Sequence, residues 1–334
     1  MPHPLDTQDM EGVIRRSPEQ FAAGLRAAEG VRLSRGPFSQ VILAGMGGSW
    51  MAGALVRDAG LSKAPITIHR GYGLPERVPS DTLVLASSFS GNTEETLSAY
   101  EAARAAGLSL IGVAAGGELE KRCTSAGVPF VKILADPPTM QPRSATGYGV
   151  GILVQILARI GLATADAVST VERLGRFLAG SMESARQQGE ALAAVLTAVT
   201  PIIYASDRFA AVAHLWKIKI NENAKAPAFW NVFPELNHNE MIGWSFVHGA
   251  FHVVLLRDAN DHPRVQKRFD ITLALLREKG IASTIVPITG TTLPEKVFSS
   301  LLVGDWASTA LALAHGVDPS PVPMVEDLKK RLKD

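Results

Sequence analysis

A chain of 334 residues, 46% hydrophobic and 19% charged, has ample material for a packed core and the length of two ordinary domains. A formal net charge of +1 leaves no electrostatic footprint for nucleic acid or an anionic membrane surface, and a single cysteine, Cys123, excludes an intrachain disulfide. No uninterrupted apolar run reaches the length of a membrane span, and MPHPLDTQDMEG has neither a basic nor an apolar signal segment, so a cytoplasmic protein is expected.

Residues up to about 36 read as helix. Ser17-Pro18-Glu19-Gln20 offers a capping serine, proline at the first helical position and glutamine at the third, with Phe21, Ala22 and Leu25 following at helical spacing. From about 40 to 134 the pattern alternates. Short apolar or β-branched runs at 41–44, 65–69, 82–87, 108–114 and 129–134 are separated by helical stretches such as 49–58, 93–106 and 117–125. That is the signature of βαβ units, and it predicts an α/β fold with mainly parallel sheets flanked by helices. Residues 147–198 read as mostly helix. A second alternating block follows: strand from Pro201 to Ser206, helix at 208–225, strand at 250–256, helix at 263–279, strand at 282–287 and a long helix at 293–315. An amphipathic piece from Val322 to Leu332 closes the chain. The division is placed at 1–150 and 151–334, with the boundary lying between 145 and 195. The halves share an architecture, as after a duplication, but the second lacks serine-glycine loops.

Those loops are the most informative feature. Val41-Ile42-Leu43-Ala44 runs into GMGGSW (Gly45 to Trp50), and Leu83-Val84-Leu85-Ala86 runs into SSFSGNTEET (Ser87 to Thr96). Each reads as strand, tight turn and helix start, where unpaired N–H groups and the positive end of the helix dipole favour an anion. Glycine permits close backbone approach, and Ser49, Ser88, Ser90, Thr93 and Thr96 can add hydroxyl donors. Two such loops at one sheet edge suit a phosphate monoester on a small molecule; the bland alternative is that both are simply turns. A dinucleotide fingerprint would need glycine where Trp50 stands, and the next strand ends in His69-Arg70 with no acidic partner for a ribose. A Walker-type phosphate loop is absent.

The second loop fits S-x-S-G-x-T-x-x-T from Ser88 to Thr96. With the preceding G-x-G-G-S it resembles the sugar isomerase (SIS) fold, which implies two SIS-type doubly wound domains. Within that fold the whole chain resembles the bifunctional phosphoglucose/phosphomannose isomerase family of bacteria and archaea. The match rests on both loops, Pro142-Arg143-Ser144, Asn221-Glu222-Asn223-Ala224-Lys225, His238-Asn239-Glu240, and GVDPSPV followed by Leu328-Lys329. The single SxSG loop is shared by many sugar-phosphate binders, whereas the combination is specific.

The resemblance implies Ser49, Ser88, Ser90 and Thr93 on the sugar phosphate, with Gly48 lending its backbone N–H. It implies Glu222 as the base moving a proton between carbons 1 and 2, and His238, arriving from the neighbouring subunit of a homodimer, as the ring-opening histidine. Arg143 would steady the enediolate and Lys329 would assist ring opening, with Lys330 the adjacent alternative; one residue of 320–323 would meet the carbon 2 hydroxyl. The implied reaction interconverts glucose 6-phosphate, and also mannose 6-phosphate, with fructose 6-phosphate, without metal or cofactor.

The parts suit the chemistry on their own terms. Aldose–ketose isomerisation needs ring opening, a carboxylate to carry a proton α to a carbonyl, and a cation where charge develops. On the predicted helix Glu222 lies four and seven residues from Ile218 and Leu215, and apolar neighbours make a carboxylate a better base. Each residue also has a structural reading. Glu222 could be a solvated residue beside Lys219 and Lys225, His238 an exposed loop histidine, and Arg143 a surface ion-pair partner. His248 and His252 in HGAFH lack a matching acidic third ligand and read as core or surface residues. Trp216, Trp230, Trp244, Phe229 and Phe233 read as core and subunit interface, and most tail charges as a solvated face. The competing functions are a non-catalytic sugar-phosphate sensor, which would carry a DNA-binding segment ahead of the sugar domain, and another SIS-type sugar-phosphate enzyme.

Overall fold

The computed structural model describes residues 3–33 and 36–332. They fall into two compact units, drawn from Arg15–Gly180 with Thr292–Val297 and from Met1–Ile14, Ser181–Thr291 and Phe298–Asp334.

The first unit contains a five-stranded sheet of β1 (Gln40–Ala44), β2 (Ile66–His69), β3 (Thr82–Ser87), β4 (Ser109–Ala114) and β5 (Phe130–Lys132), ordered β2-β1-β3-β4-β5. All pairings are parallel, with Val41 opposite Leu83 and Ala86 opposite Gly112. β1 and β3 are near-continuous apolar runs, because the inner strands of a parallel sheet are covered on both faces. Helices α2 (Met51–Asp58), α3 (Glu94–Ala105), α4 (Gly117–Ala126) and α5 (Thr146–Arg159) accompany it. Val84, Ala86, Tyr100, Leu119 and Cys123 form one side of its core.

The N-terminal helix, α1 (Met10–Ala27), corrects the predicted start at Ser17. The Asp6 carboxylate accepts the N–H groups of Met10 at 2.7 Å and Glu11 at 3.0 Å, a cap upstream of the Ser-Pro pair. Pro18 therefore lies inside the helix. Burial on both sides of it, by Val13 and Ile14 and then Phe21 and Leu25, offsets the lost backbone bond.

The second unit contains a four-stranded parallel sheet of β6 (Thr200–Ser206), β7 (Phe229–Phe233), β8 (Phe251–Arg257) and β9 (Ala282–Pro287), ordered β7-β6-β8-β9. Its helices include the latter part of α6 (Ala167–Leu196), α7 (Ala210–Asn223), α8 (Pro263–Glu278), most of α9 (Leu293–Ala314) and α10 (Pro323–Arg331). The core joins Tyr204, Phe233, Leu255 and Phe269. β7 is a strand that the sequence pattern does not predict. Its sequence, FWNVF, reads as an aromatic cluster, and as an edge strand beside β6 it lacks the β-branched run that marks the inner ones.

Among the described residues, α9 alone is long and apolar enough by composition to cross a membrane, yet 78% of its apolar window is buried inside the protein. Asp305 on it forms an ion pair with buried Lys219 of α7, as befits a core helix.

Candidate active site

In an open parallel sheet, ligands bind beyond the carboxyl ends of the strands, where the strand order reverses. In the first unit that point lies between β1 and β3, the two strands that the serine loops follow. Topology alone therefore brings the loops together. Ser49 lies in the 3-10 turn Gly47–Trp50 after β1, and its Oγ accepts the Phe89 N–H at 2.9 Å, joining the first loop to the second.

The second loop is tied within itself. Ser88, buried to 1% exposure, shares a hydrogen bond of 2.8 Å with Thr93 Oγ1 and accepts the Gly91 N–H at 3.1 Å. Ser90 is exposed at the loop tip, where its Oγ accepts the Asn92 N–H at 3.3 Å. Gly91 has φ +70°, and a Cβ there would stand 1.8 Å from the Gly116 carbonyl oxygen, so neither the turn nor its packing admits a side chain. Thr93 occupies the N-cap of α3 without capping it, because its hydroxyl faces Ser88. The α3 terminus thus keeps the anion preference of an uncapped helix start.

Arg143 belongs to the same constellation. It lies in the 3-10 turn Pro142–Ser144 and is buried to 1% exposure. A Cβ on Gly48 would be 2.5 Å from Pro142 backbone atoms and 2.8 Å from the Arg143 nitrogen, so glycine is required for this turn to approach the first loop. The turn is held from behind by buried Gln20 of α1. Its Nε2 donates to the Ser144 carbonyl at 2.9 Å, and its Oε1 accepts the Gly147 N–H at 3.1 Å. Sequence reasoning reads Gln20 as the capping glutamine of a helix starting at Ser17, whereas it lies within α1 and its amide serves this turn. A buried glutamine inside an amphipathic helix is the signal that could have found this role.

The second unit carries the other candidates. Glu222 is the penultimate residue of α7 and half-buried, with Leu215 buried and Ile218 half-buried on the same helix. Three polar contacts set the rotation of α7 against α9: Trp216 Nε1 to the Ser300 carbonyl at 3.0 Å, Asn223 Nδ2 to Ser308 Oγ at 2.9 Å, and the Lys219–Asp305 pair. Lys219 is therefore a buried packing residue and not a solvated companion of Glu222.

His238 follows the short turn Glu235–Asn237 and is exposed. Its surroundings are built from both sides. Asn237 bonds Thr272 Oγ1 at 3.0 Å and accepts from Arg268 at 3.1 Å, while the Glu240 carboxylate accepts from Tyr204 and Asn231. Burial, and then the Glu240 carboxylate, push the Tyr204 hydroxyl pKa well above its ordinary value, so Tyr204 stays a donor. Lys329 lies on α10, which buries no side chain, and pairs with Glu326 at 2.8 Å; Lys330 is exposed beside it. His248 and His252 diverge. His252 is buried in β8 with Nε2 at 2.8 Å from Thr284 Oγ1, and His248 lies in the preceding loop with its ring 4.6 Å from that of Phe246. Of the aromatics, Trp216, Trp244 and Phe233 are core, Trp230 stacks on His214 at 4.8 Å, and Phe229 is exposed.

Two parallel α/β units, one with a hydroxyl-lined cradle at its switch point, define a sugar-isomerase-type protein. Residues 185–332 match the family model described as the bacterial phospho-glucose isomerase C-terminal SIS domain. The bifunctional phosphoglucose/phosphomannose isomerase of Caldicellulosiruptor bescii is 37% identical over 88% of this chain and 90% of its own, and that of Aquifex aeolicus is 32% identical over 89% and 91%. In fold, the chain is similar to the tagatose-6-phosphate ketose/aldose isomerase of Escherichia coli, with a TM-score of 0.68 at 17% identity over 96% of each chain. The chain belongs to the bifunctional phosphoglucose/phosphomannose isomerase family.

Proposed function

We infer that this protein is an aldose–ketose isomerase of hexose 6-phosphates, interconverting glucose 6-phosphate and mannose 6-phosphate with fructose 6-phosphate. The observation that carries the reading is the union of two serine loops at one switch point, tied through Ser49 and the Phe89 N–H. Such a cradle recognises a phosphate monoester, and a monoester on carbon 6 leaves carbons 1 and 2 free to react.

In the proposed mechanism Ser49, Ser88, Ser90 and Thr93, with the Gly48 N–H, hold the phosphate. His238 and Lys329 open the ring by moving a proton from the anomeric hydroxyl and delivering one to the ring oxygen. The Glu222 carboxylate then takes the hydrogen on carbon 2 as a proton, leaving its electron pair in the carbon 1–carbon 2 double bond of a cis-enediol. The same carboxyl returns the proton to carbon 1, while the carbon 2 hydroxyl proton passes to the carbon 1 oxygen, so the step needs no oxidant, reductant or metal. Arg143 stabilises the oxygens on which negative charge develops. Glucose and mannose 6-phosphates differ only at carbon 2, and that centre is planar in the enediol. One intermediate therefore serves both sugars.

The exposed position of His238, beside exposed Ile242 and Phe246, supports a homodimer in which the histidine acts in the neighbouring subunit. The proposal includes a cytoplasmic setting, which suits a chain whose only cysteine is a buried free thiol. A coupled assay on glucose 6-phosphate and mannose 6-phosphate, with and without chelator, tests the function. Turnover of both, unchanged by chelator, is expected. Binding without turnover would make the protein a sensor, and loss with chelator would remove the metal-free mechanism.

A further inference from the structure

We propose that Lys225 is a positioning residue for Glu222, acting as a latch between the end of α7 and the segment that leads into the C-terminal tail. The proposal rests on the reading of Glu222 as the base. Glu222 is one residue from the end of its helix, where turns fray and carbonyl groups lack intrahelical partners. A base placed there needs its last turn fixed from outside, because small displacements of a reacting group cost large factors in rate.

The structure supplies that fixation through Lys225. Its Nζ donates to the Glu222 carbonyl at 2.6 Å and to the Pro319 carbonyl at 3.1 Å, bridging the final turn of α7 to the buried Pro319-Ser320 segment. The ammonium also complements the negative end of the helix dipole. A second tie runs alongside: the Ala224 carbonyl faces His315 Nδ1 at 3.1 Å, and His315 Nε2 lies 3.0 Å from the Thr197 carbonyl.

Backbone conformation separates this role from mere helix termination. Lys225 has φ +55°, at the position past a helix end where glycine is the strain-free choice. The chain holds a lysine in a conformation that disfavours it, and the side chain spans two carbonyls. A residue wanted only for the turn would be glycine.

Three variants test the latch: Lys225→Gly, which relieves the backbone; Lys225→Met, which keeps the length and loses the ammonium; and Lys225→Arg, which keeps a cation. The readouts are kcat and KM for fructose 6-phosphate, thermal midpoint, and exchange of the carbon-bound hydrogen with solvent deuterium. Expected are falls in kcat and in exchange rate of about tenfold to a hundredfold in the Gly and Met variants, KM within about twofold, and substantial rescue by Arg. Because Met carries the same backbone strain as Lys, the Met–Arg pair decides the matter even where Gly fails to fold. Full kcat in the Gly or Met variant would overturn the proposal, as would a loss that tracks only the folded fraction. Inactivity of the wild-type protein, or full activity of Glu222→Gln, would instead refute the underlying function or base assignment.

Discussion

After its first strand in each unit the chain makes the same move, a 3-10 turn and then a helix: Gly47–Trp50 into α2, and Asp207–Phe209 into α7. Both sheets reverse their strand order at that strand, with β1 beside β3 in one and β6 beside β8 in the other. The chemistry placed at the two switch points is opposite. One has serine and threonine hydroxyls and an uncapped helix start. The other has Asp258 and Asp261, both buried, with Ser206 Oγ donating to Asp261 at 2.9 Å and Arg208 reaching both carboxylates at 3.4 and 3.2 Å. Carboxylates at a switch point repel a phosphate dianion. The repeated fold thus provides two equivalent places, and loop composition makes one rich in hydroxyls and the other acidic; the proposed mechanism asks the second unit for Glu222 and His238 instead of an anion cradle.

The sharpest break of this division of labour is Glu222→Gln. Kinetics should show kcat reduced by about 10²- to 10⁴-fold, with KM for fructose 6-phosphate within a few-fold, since phosphate binding is assigned to the other unit. Next is Gly48→Ala in the cradle. Its Cβ would collide with Pro142 backbone 2.5 Å away, and the strain should cost about 1–3 kcal/mol in denaturant unfolding and raise KM by tenfold or more. Asp207→Ala at the matching turn of the second unit should leave KM unchanged. Ser90→Asp gives the cradle a carboxylate of the kind the other switch point has, and should raise KM about tenfold while leaving kcat near its original value.

Asp261→Asn should act on stability alone. Burial raises the Asp261 pKa above its ordinary 3.8, although Ser206 and Arg208 pull it back. Between the ordinary value and the raised one, the folded protein therefore holds a proton there that the unfolded chain releases. Stability from this group is full below the ordinary value, falls as pH rises toward the raised one, and is level above it. Thermal unfolding across that acidic window should be less pH-dependent in the variant, with isomerase rate unaffected.

Most of the sheet organisation was legible in the sequence, because inner parallel strands are short apolar runs and each serine loop follows one of them. The meeting of the two serine loops at one sheet edge was legible for the same reason, since each follows an inner strand at the point where the strand order reverses. Two features escaped. The start of α1 is set by Asp6, which no helical periodicity marks, and β7 is an edge strand with aromatic composition. The roles of Gln20 and Lys225 depend on which distant carbonyls they meet, and pairings across 124 and 94 residues leave no local pattern.

Deuterium at carbon 2 of glucose 6-phosphate, followed through isomerisation in ordinary water, tests the central claim most directly. A proton carried by Glu222 through an enediol predicts partial loss of label to solvent, the remainder at carbon 1 of fructose 6-phosphate, and the disappearance of both in Glu222→Gln. Complete retention of label at carbon 1 with a rate indifferent to that substitution would contradict the account.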